Sequence, residues 1–534
     1  MNILYVLPQR KGLVYTAGQT ILQILQYHHL IIDSPCGGNG TCGKCIVTII
    51  SGTVNSLTEE EQRFTLLPQQ RLSCCVYPQG EVTVCLPNMT DANITSSPHY
   101  LPTQTSSKDI DMKYGFAIDI GTTTVVMTLI NLTTKKICHT YTHLNAQRAY
   151  GADVLSRIAF ATKEPTGLTQ LQKAVIRTIT DGVLSLCRQY GLLPQQIQQY
   201  VISANTTMLH LLLHVPVATL GKAPYTPIFT SKQLVLAATL GLPGSVSTTV
   251  YCLPSVSTFI GADIVSGAVM AGLPHTKETV LFLDMGTNCE IILATPRKML
   301  ACSCAAGPAL EGANISYGMT ATTGAIDDVS LDAAGNLCIS TIGHTTPHGL
   351  CGSGILALTA LFCQTGIISP RGRFRTRKEI IESKYPQLGH HLLEDGKKRY
   401  FRLAPHEGTP YITQQDIRQI QLAKGAIAAG LHLLLLTAQM EPCQIDRIII
   451  AGQFGQHMNV QHIIQIGLMP PEWQPKITYI GNSSRLGAVQ SLLHPSLRQE
   501  MEETAKKIQY IDLAQHPAYE RLFIKEMQFP EAIP

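Results

Sequence analysis

The chain has 534 residues, 45% of them hydrophobic and only 14% charged, which argues against extended disorder and calls for two or, better, three separate cores. Its formal charge of +4, without any long Lys/Arg run or alternation of basic and aromatic residues, argues against a nucleic-acid partner. Sixteen cysteines, in a chain whose first residues enter a strand without a secretory leader, are expected to be reduced thiols in a cytoplasmic protein and hint at an anaerobic host.

In chain order, Ile3 to Leu7 and Leu13 to Tyr15 read as strands, and Thr20 to Leu25 reads as a covering helix. The loop Cys36-Gly37-Gly38-Asn39-Gly40-Thr41-Cys42-Gly43-Lys44-Cys45 then brings three thiols together, and Arg71-Leu72-Ser73-Cys74-Cys75 supplies a fourth about thirty residues later. Four thiolates, three from one glycine-rich loop and one from a distant strand, suit a [2Fe–2S] cluster, whose sulfurs can then receive the loop's backbone N–H groups. A zinc site is the competing reading, but zinc motifs usually carry two CxxC pairs, and here only Cys42 and Cys45 form one. Five residues separate Cys36 from Cys42, one more than in the plant-type spacing. Cys74 and Cys75 are neighbours that face opposite ways on a strand, so only one of them can ligate easily. These features fit a β-grasp ferredoxin domain over residues 1–92, with Cys36, Cys42, Cys45 and one of that pair as ligands.

Residues 88–112 are rich in Pro, Ser, Thr and Asp without a period, and 93–112 are expected to be a linker that lets the ferredoxin module swing. Strands then alternate with helices in what reads as two α/β domains, 113–274 and 275–500, followed by a tail, 501–534. Tyr114 to Ile120 is a buried strand that places Asp119 before Gly121-Thr122-Thr123-Thr124, and Val280 to Asp284 repeats the pattern before Met285-Gly286-Thr287-Asn288. Such turns offer N–H groups and hydroxyls to phosphate. A third strand, Arg447 to Ala451, ends in Gly452-Gln453-Phe454-Gly455, a turn that a flat ligand can approach closely. Cys302-Ser303-Cys304 reads as a polar, thiol-bearing loop beside the second turn. The apolar stretch from Gly425 to Met440 carries His432 and is short for a membrane span, so a core helix and no membrane association are expected.

In this order and separation, the three turns resemble the phosphate 1, phosphate 2 and adenosine motifs of the actin, heat-shock-chaperone and sugar-kinase ATPases, in which two ribonuclease-H-like domains close on a nucleotide. Ser257 to Ile264 and Gly481 to Ala488 resemble that family's connecting helices. The resemblance implies ATP and Mg²⁺ as ligands, with Asp119 and Asp284 ordering the Mg²⁺ water shell or the attacking water. Gly121, Thr122, Thr123, Gly286, Thr287 and Asn288 would bind phosphate, and Gly452, Phe454 and Gly455 would border the adenosine.

A [2Fe–2S] domain joined to such an ATPase resembles the reductive activators of corrinoid-dependent proteins, a likeness that also takes in Asn145-Ala146-Gln147, Gly151-Ala152-Asp153-Val154, Asn205-Thr206-Thr207-Met208, Ala301 to Pro308, Cys351-Gly352-Ser353-Gly354 and Gln421 to Ala426. Cys289 and Gln453 depart from the pattern, which would more usually have glycine. The family's Arg-Leu-x-Cys ending favours Cys74 as the fourth ligand. The resemblance implies ATP-driven, one-electron reduction of a Co(II) corrinoid protein of a methyltransferase system to Co(I), a low-potential ferredoxin or flavodoxin as donor, and a homodimer through the ATPase half. A one-electron step uphill by about 240 mV corresponds to four factors of ten, or about 5.5 kcal/mol, which explains the need for ATP. Ser303, in its loop, would face the corrinoid. The competing readings are an ATPase activator of another low-potential metalloenzyme, of the dehydratase-activator type, a small-molecule kinase, and an electron carrier with an inert ATPase fold.

Overall fold

The computed structural model describes residues 2–28, 30, 32, 34, 36, 38, 40–64, 66–87, 112–396, 398–404, 408–452 and 458–531. The expected linker, 93–112, therefore lies outside the described residues except for Met112. By contact the chain divides into two units, one running to residue 253 and including 488–495, the other comprising 254–487 and the residues from 496 onward.

The first unit opens with a five-stranded mixed sheet in the order β2-β1-β5-β3-β4, built from β1 (Ile3–Leu7), β2 (Lys11–Val14), β3 (Ile46–Val54), β4 (Gln70–Leu72) and β5 (Pro78–Cys85). β2 starts earlier than the sequence suggests because the hairpin continues the β1 ladder to the pair Val6 and Lys11. The helix α1 (Ile21–Tyr27) begins one residue late because Thr20 is its N-cap, in a reciprocal capping box with Gln23. Ile21, Leu22, Ile24 and Leu25 of α1 are buried against Leu4, Val6, Val47, Val82 and Val84 of the sheet. Burying one such side chain fully contributes about 1.5–3 kcal/mol.

The same unit then forms a six-stranded sheet in the order β10-β11-β9-β6-β7-β8. Its strands are β6 (Tyr114–Ile120), β7 (Thr124–Asn131), β8 (Lys136–Leu144), β9 (Ile197–Ala204), β10 (Gln233–Leu236) and β11 (Thr249–Cys252). β6 is apolar up to Asp119 because it is central, antiparallel to β7 on one side and parallel to β9 on the other. Around it run α2 (Val154–Lys163), α3 (Gly167–Tyr190), α4 (Thr206–Leu212) and α5 (Ala237–Leu240). The ferredoxin-like part is seated on this layer: Ser34 Oγ donates to Ala149 O at 2.9 Å, and Gln26 Nε2 donates to the same carbonyl.

The second unit repeats the design. After α6 (Ala262–Met270) come β12 (Val280–Met285), β13 (Cys289–Ala294) and β14 (Met299–Cys304). Next are a three-stranded sheet of β15 (Ala325–Leu331), β16 (Leu337–Thr341) and β17 (Gly349–Leu350), then α7 (Gly352–Thr365) and α8 (Arg377–Ile381). A second small sheet of β18 (Leu392–Asp395), β19 (Lys398–Arg402) and β20 (Tyr411–Thr413) leads into α9 (Gln414–Ala438). β21 (Arg447–Ala451), α10 (Val460–Gln465), β22 (Ile477–Gly481), the start of α11 (Ser483–Leu493), whose residues from 488 onward belong to the first unit, α12 (Ser496–Lys507), β23 (Ile508–Tyr510) and α13 (Tyr519–Glu526) complete it. The large sheet has the order β22-β21-β12-β13-β14-β23, with β12 in the place that β6 holds in its own sheet. One face, through Leu283, Ile291 and Cys302, packs with α7 and α9 residues, and the other, through Phe282, Ile292 and Ala301, with Ile264 and Ala268 of α6.

Three expectations change here. The first connecting helix starts at Ala262, because Ser257 Oγ accepts the N–H groups of Phe259 and Ile260 and holds a turn before it. The core helix, Gln414–Ala438, spans 25 residues, starting well before Gly425 and ending short of Met440, because Thr413 caps its start in a reciprocal capping box with Asp416 and the buried Lys424 finds carbonyl partners. By length and composition it can cross a membrane, but 78% of its most apolar window is buried in the fold. The segment expected as a tail, 501–534, instead completes the large sheet through β23, beside β14, and packs α13 on α9.

That last docking is polar at its centre. Lys424 Nζ donates to Glu526 O at 2.6 Å and Gln528 O at 2.8 Å, Gln421 Nε2 donates to Met527 O at 3.0 Å, and His432 Nδ1 lies 3.1 Å from Glu526 Oε1. Burial pulls the Lys424 ammonium down to about 8. Lys424→Met is expected to leave two carbonyls without a donor and to destabilise the second unit by about 2–4 kcal/mol, read from the urea midpoint. An unchanged midpoint would mean that water replaces the ammonium.

Candidate cluster and nucleotide sites

The four thiols nearest the glycine-rich loop form two pairs. Cys36 and Cys42 have their sulfurs 3.3 Å apart, as do Cys45 and Cys74. Cys75 Sγ lies 3.6 Å from Cys74 Sγ and turns toward Gly40 instead. Two thiolates on one tetrahedral centre, at about 2.3 Å from the metal, lie roughly 3.8 Å apart, so each pair suits one metal ion. A [2Fe–2S] cluster asks for two such pairs, whereas a zinc site gathers four ligands about one point. Among the described residues no three His, Cys, Asp or Glu side chains are grouped about one metal position. The donor set fits the binuclear cluster.

Local structure sets these pairs. Gly40 and Gly43 have φ values of +69° and +65°, and a Cβ at Gly43 would sit 2.6 Å from the Phe64 ring, so glycine alone lets the loop close there. Cys74 and Cys75 lie in the turn after β4 rather than on a strand as expected, and that turn is fixed from both sides, with Ser73 N donating to Cys45 O at 2.8 Å and Leu22 N to Ser73 O at 2.9 Å. One turn away, Arg71 and Glu61 form a buried fork, Nε to Oε1 and Nη2 to Oε2, both at 2.8 Å. Burial alone would raise the Glu61 carboxyl, but Arg71 and the N–H groups of Thr58 and Leu72 more than offset it, and it lies below its usual range. Within each pair one thiol donates to the other: the Cys42 hydrogen bond brings Cys36 down to about 4, and the Cys74 bond brings Cys45 down to about 7. Cys42 and Cys74 are correspondingly raised.

In the six-stranded sheet of the first unit, β6 delivers Asp119 opposite Val126 of β7 and Ser203 of β9. The following turn is tight: Gly121 N donates to Thr124 O at 2.9 Å, and a Cβ on Gly121 would lie 2.8 Å from that oxygen. Asn145 Nδ2 donates to Gly121 O at 2.9 Å, and Asn205 Nδ2 to Thr122 Oγ1 at 3.4 Å. Thr122 and Thr123 remain partly open.

In the second unit, the strand register aligns Ala451, Asp284, Glu290 and Ser303 in one row across β21, β12, β13 and β14. Gly286 N donates to Asn288 O at 2.9 Å, both residues are exposed, and Thr287 Oγ1 donates to Glu311 Oε2 at 3.1 Å. Gly452, at φ +93°, approaches so closely that a Cβ would lie 2.6 Å from Met285 O and 3.0 Å from Asp284 Oδ1. Phe454 and Gly455 lie outside the described residues. The expected loop at Cys302–Cys304 is the end of β14: Cys302 and Cys304 point into the core, while Ser303 Oγ donates to Glu290 Oε1 at 2.9 Å. The sequence suggests a loop only because short polar and thiol residues are ambiguous, and antiparallel pairing with β13 decides it.

Glu290 and Glu311 are functional candidates that the sequence reading leaves without a role. Burial, with Asp263 and Asp284 nearby, pushes the Glu290 carboxyl well above its usual range, so it can hold a proton beside Asp284. Burial likewise raises Glu311. A charged residue amid the apolar run Cys289-Glu290-Ile291-Ile292 was the available signal for the first; Glu311 had none.

Comparison with known proteins matches three family descriptions in series: a 2Fe-2S iron-sulfur cluster binding domain at residues 6–79, the RACo middle region at 114–276, and the C-terminal domain of RACo, the ASKHA domain, at 278–533. The corrinoid activation enzyme RamQ of Eubacterium limosum is 33% identical over 439 residues, 81% of this chain and 73% of that protein. The [Co(II) methylated amine-specific corrinoid protein] reductase of Methanosarcina barkeri is 23% identical over 78% of this chain and 77% of its own. The solved structure of a reductive activator for corrinoid,iron-sulfur protein superposes with a TM-score of 0.69 at 28% identity, covering 99% of both chains. With its ferredoxin-like sheet, its duplicated ATPase sheets and these relatives, the chain belongs to the RACo family of reductive activators of corrinoid proteins.

Proposed function

We propose that this protein uses ATP to drive one electron from a [2Fe–2S] cluster onto the Co(II) corrinoid of a partner methyltransferase-system protein, giving Co(I). The observation that carries this reading is the joining of two thiol pairs in a β-grasp sheet to two six-stranded sheets that each end a central strand in Asp before a phosphate-type turn. Cys36 and Cys42 would hold one iron and Cys45 and Cys74 the other; the bound cluster supplies one-electron transfer. Asp119 and Asp284 would order Mg²⁺-bound water, Gly121, Thr122, Thr123, Gly286, Thr287 and Asn288 would take the phosphates, and Gly452 with Phe454 and Gly455 would border the adenosine. The work of ATP is conformational: a ligand shifts a two-state protein only by its differential affinity for the states, so the partner's cobalt state and the nucleotide must each prefer one of them. A low-potential ferredoxin or flavodoxin would refill the cluster, and a cytoplasmic homodimer is the working assembly. Ser303, at the end of β14 with its hydroxyl on Glu290, would face the corrinoid in this reading.

Three experiments test the reading. Anaerobically purified protein should carry two irons, and Cys74→Ser should lose or distort the reduced-cluster EPR signal while Cys75→Ser keeps it; loss at Cys75 alone would reverse the ligand assignment. Asp119→Ala and Asp284→Ala should cut ATP hydrolysis by about a hundredfold or more while changing Mg-ATP affinity much less, because their work lies in the transition state. Co(II) corrinoid protein should stimulate hydrolysis more than its Co(I) form, and Co(I) should accumulate only with ATP, followed by the corrinoid's visible spectrum. Turnover indifferent to the corrinoid protein would return the chain to the kinase or electron-carrier readings.

A further inference from the structure

Arg157 lies on α2 with 0% of its surface exposed. Its guanidinium donates through Nε to Gly151 O at 2.9 Å and through Nη1 to Gln147 Oε1 at 3.1 Å, with Met208 Sδ at 3.2 Å, and through Nη2 to Thr122 O. All of these acceptors are neutral, and among the described residues no carboxylate forms an ion pair with it. A fully buried cation is costly to hold without a counter-ion. Burial, aided by Arg148 and only partly opposed by Asp153, lowers this guanidinium to about 9, which leaves it protonated at neutral pH.

The acceptor at one end of this fork belongs to the phosphate-1 turn. Three successive carbonyls of that turn are drawn inward: Gly121 O by Asn145 Nδ2, Thr122 O by Arg157 Nη2 and Thr123 O by Asn145 N. In a trans peptide the C=O and the following N–H point in opposite directions, so the N–H groups of Thr122 and Thr123 are turned away from those donors. Among the described residues neither N–H donates to a protein acceptor, and both residues are partly open. Successive outward amides make an anion-binding concavity, and here a buried positive charge lies behind it.

We infer that Arg157 is a positioning residue for the nucleotide: by holding the Thr122 carbonyl it turns the Thr123 amide toward a phosphate, whose negative charge in turn offsets the buried guanidinium. This rests on the nucleotide reading above and adds a residue outside the three strand-end turns.

The test uses full-length protein and two probes, Mg-ATP and adenosine, which lacks phosphate. Arg157→Met should weaken Mg-ATP binding by about tenfold or more, the scale of a charge-assisted hydrogen bond, while adenosine binding changes by less than about twofold. Arg157→Lys, which keeps the charge without the fork, should fall between Arg157→Met and wild type. An equal loss of both ligands, in step with a lower Tm, would show a structural role only and overturn the inference. Should Arg157→Met fail to fold, Gln147→Met removes one acceptor from the fork and is expected to weaken Mg-ATP selectively by about threefold; an unchanged ratio of the two affinities overturns the inference equally. Wild-type protein that binds no Mg-ATP would overturn the nucleotide reading and this one with it.

Discussion

An aspartate that closes a central strand one or two residues before the chain reverses is the constraint on which both ATPase-type sheets depend. The strand must be apolar up to that point, because it is buried on both faces, and the chain must then turn within a few residues to form the antiparallel partner. At Asp119 the reversal is closed by the Gly121 amide on Thr124 O, and at Asp284 by the Gly286 amide on Asn288 O. Everything placed near the carboxylate follows from strand register. Glu290 and Ser303 stand in line with Asp284 because antiparallel pairing puts opposed residues on one face, and Gly452 approaches Asp284 because β21 runs parallel beside β12.

The ferredoxin-like domain solves a different problem, that of bringing the turn after β4 to the glycine-rich loop. The fork between Arg71 and Glu61 is buried and also accepts the Leu72 and Thr58 amides, so the carboxylate is nearly saturated. Breaking such a pair from one side costs about 3–5 kcal/mol, because a lone buried charge remains. That cost holds the Arg71 to Cys74 segment against Cys45.

Polar groups also decide how the second unit ends. Lys424 and Gln421 sit on the most apolar helix of the chain, where they read as interruptions, yet their side chains take the carbonyls of Glu526, Met527 and Gln528. Arg157 plays an equivalent part on α2, holding backbone carbonyls where no secondary structure does so. In both places a long cationic side chain replaces missing backbone donors, a task suited to groups with several N–H bonds on one flexible stem.

The sequence by itself determined the elements whose signal is local. Periodicity and buried runs marked β6, β12 and β21, the cysteine spacing marked the thiol loop, and the Asp-then-glycine turns marked the paired strand ends. Tertiary structure alone decided what depends on partners far along the chain. Cys74, which the Arg-Leu-x-Cys ending already favoured, was set beside Cys45 by the Ser73 amide bonded to Cys45 O, and Ser303 was moved from a loop to a strand by its ladder with β13. The segment after residue 500 became part of a sheet because β14 offered it an edge. Arg157 could not be singled out from a helix that reads as amphipathic, since a buried cation and a solvated one have the same residue name. Local propensity is written in neighbouring residues, whereas register, burial and hydrogen-bond partners are set only when strands distant in sequence meet.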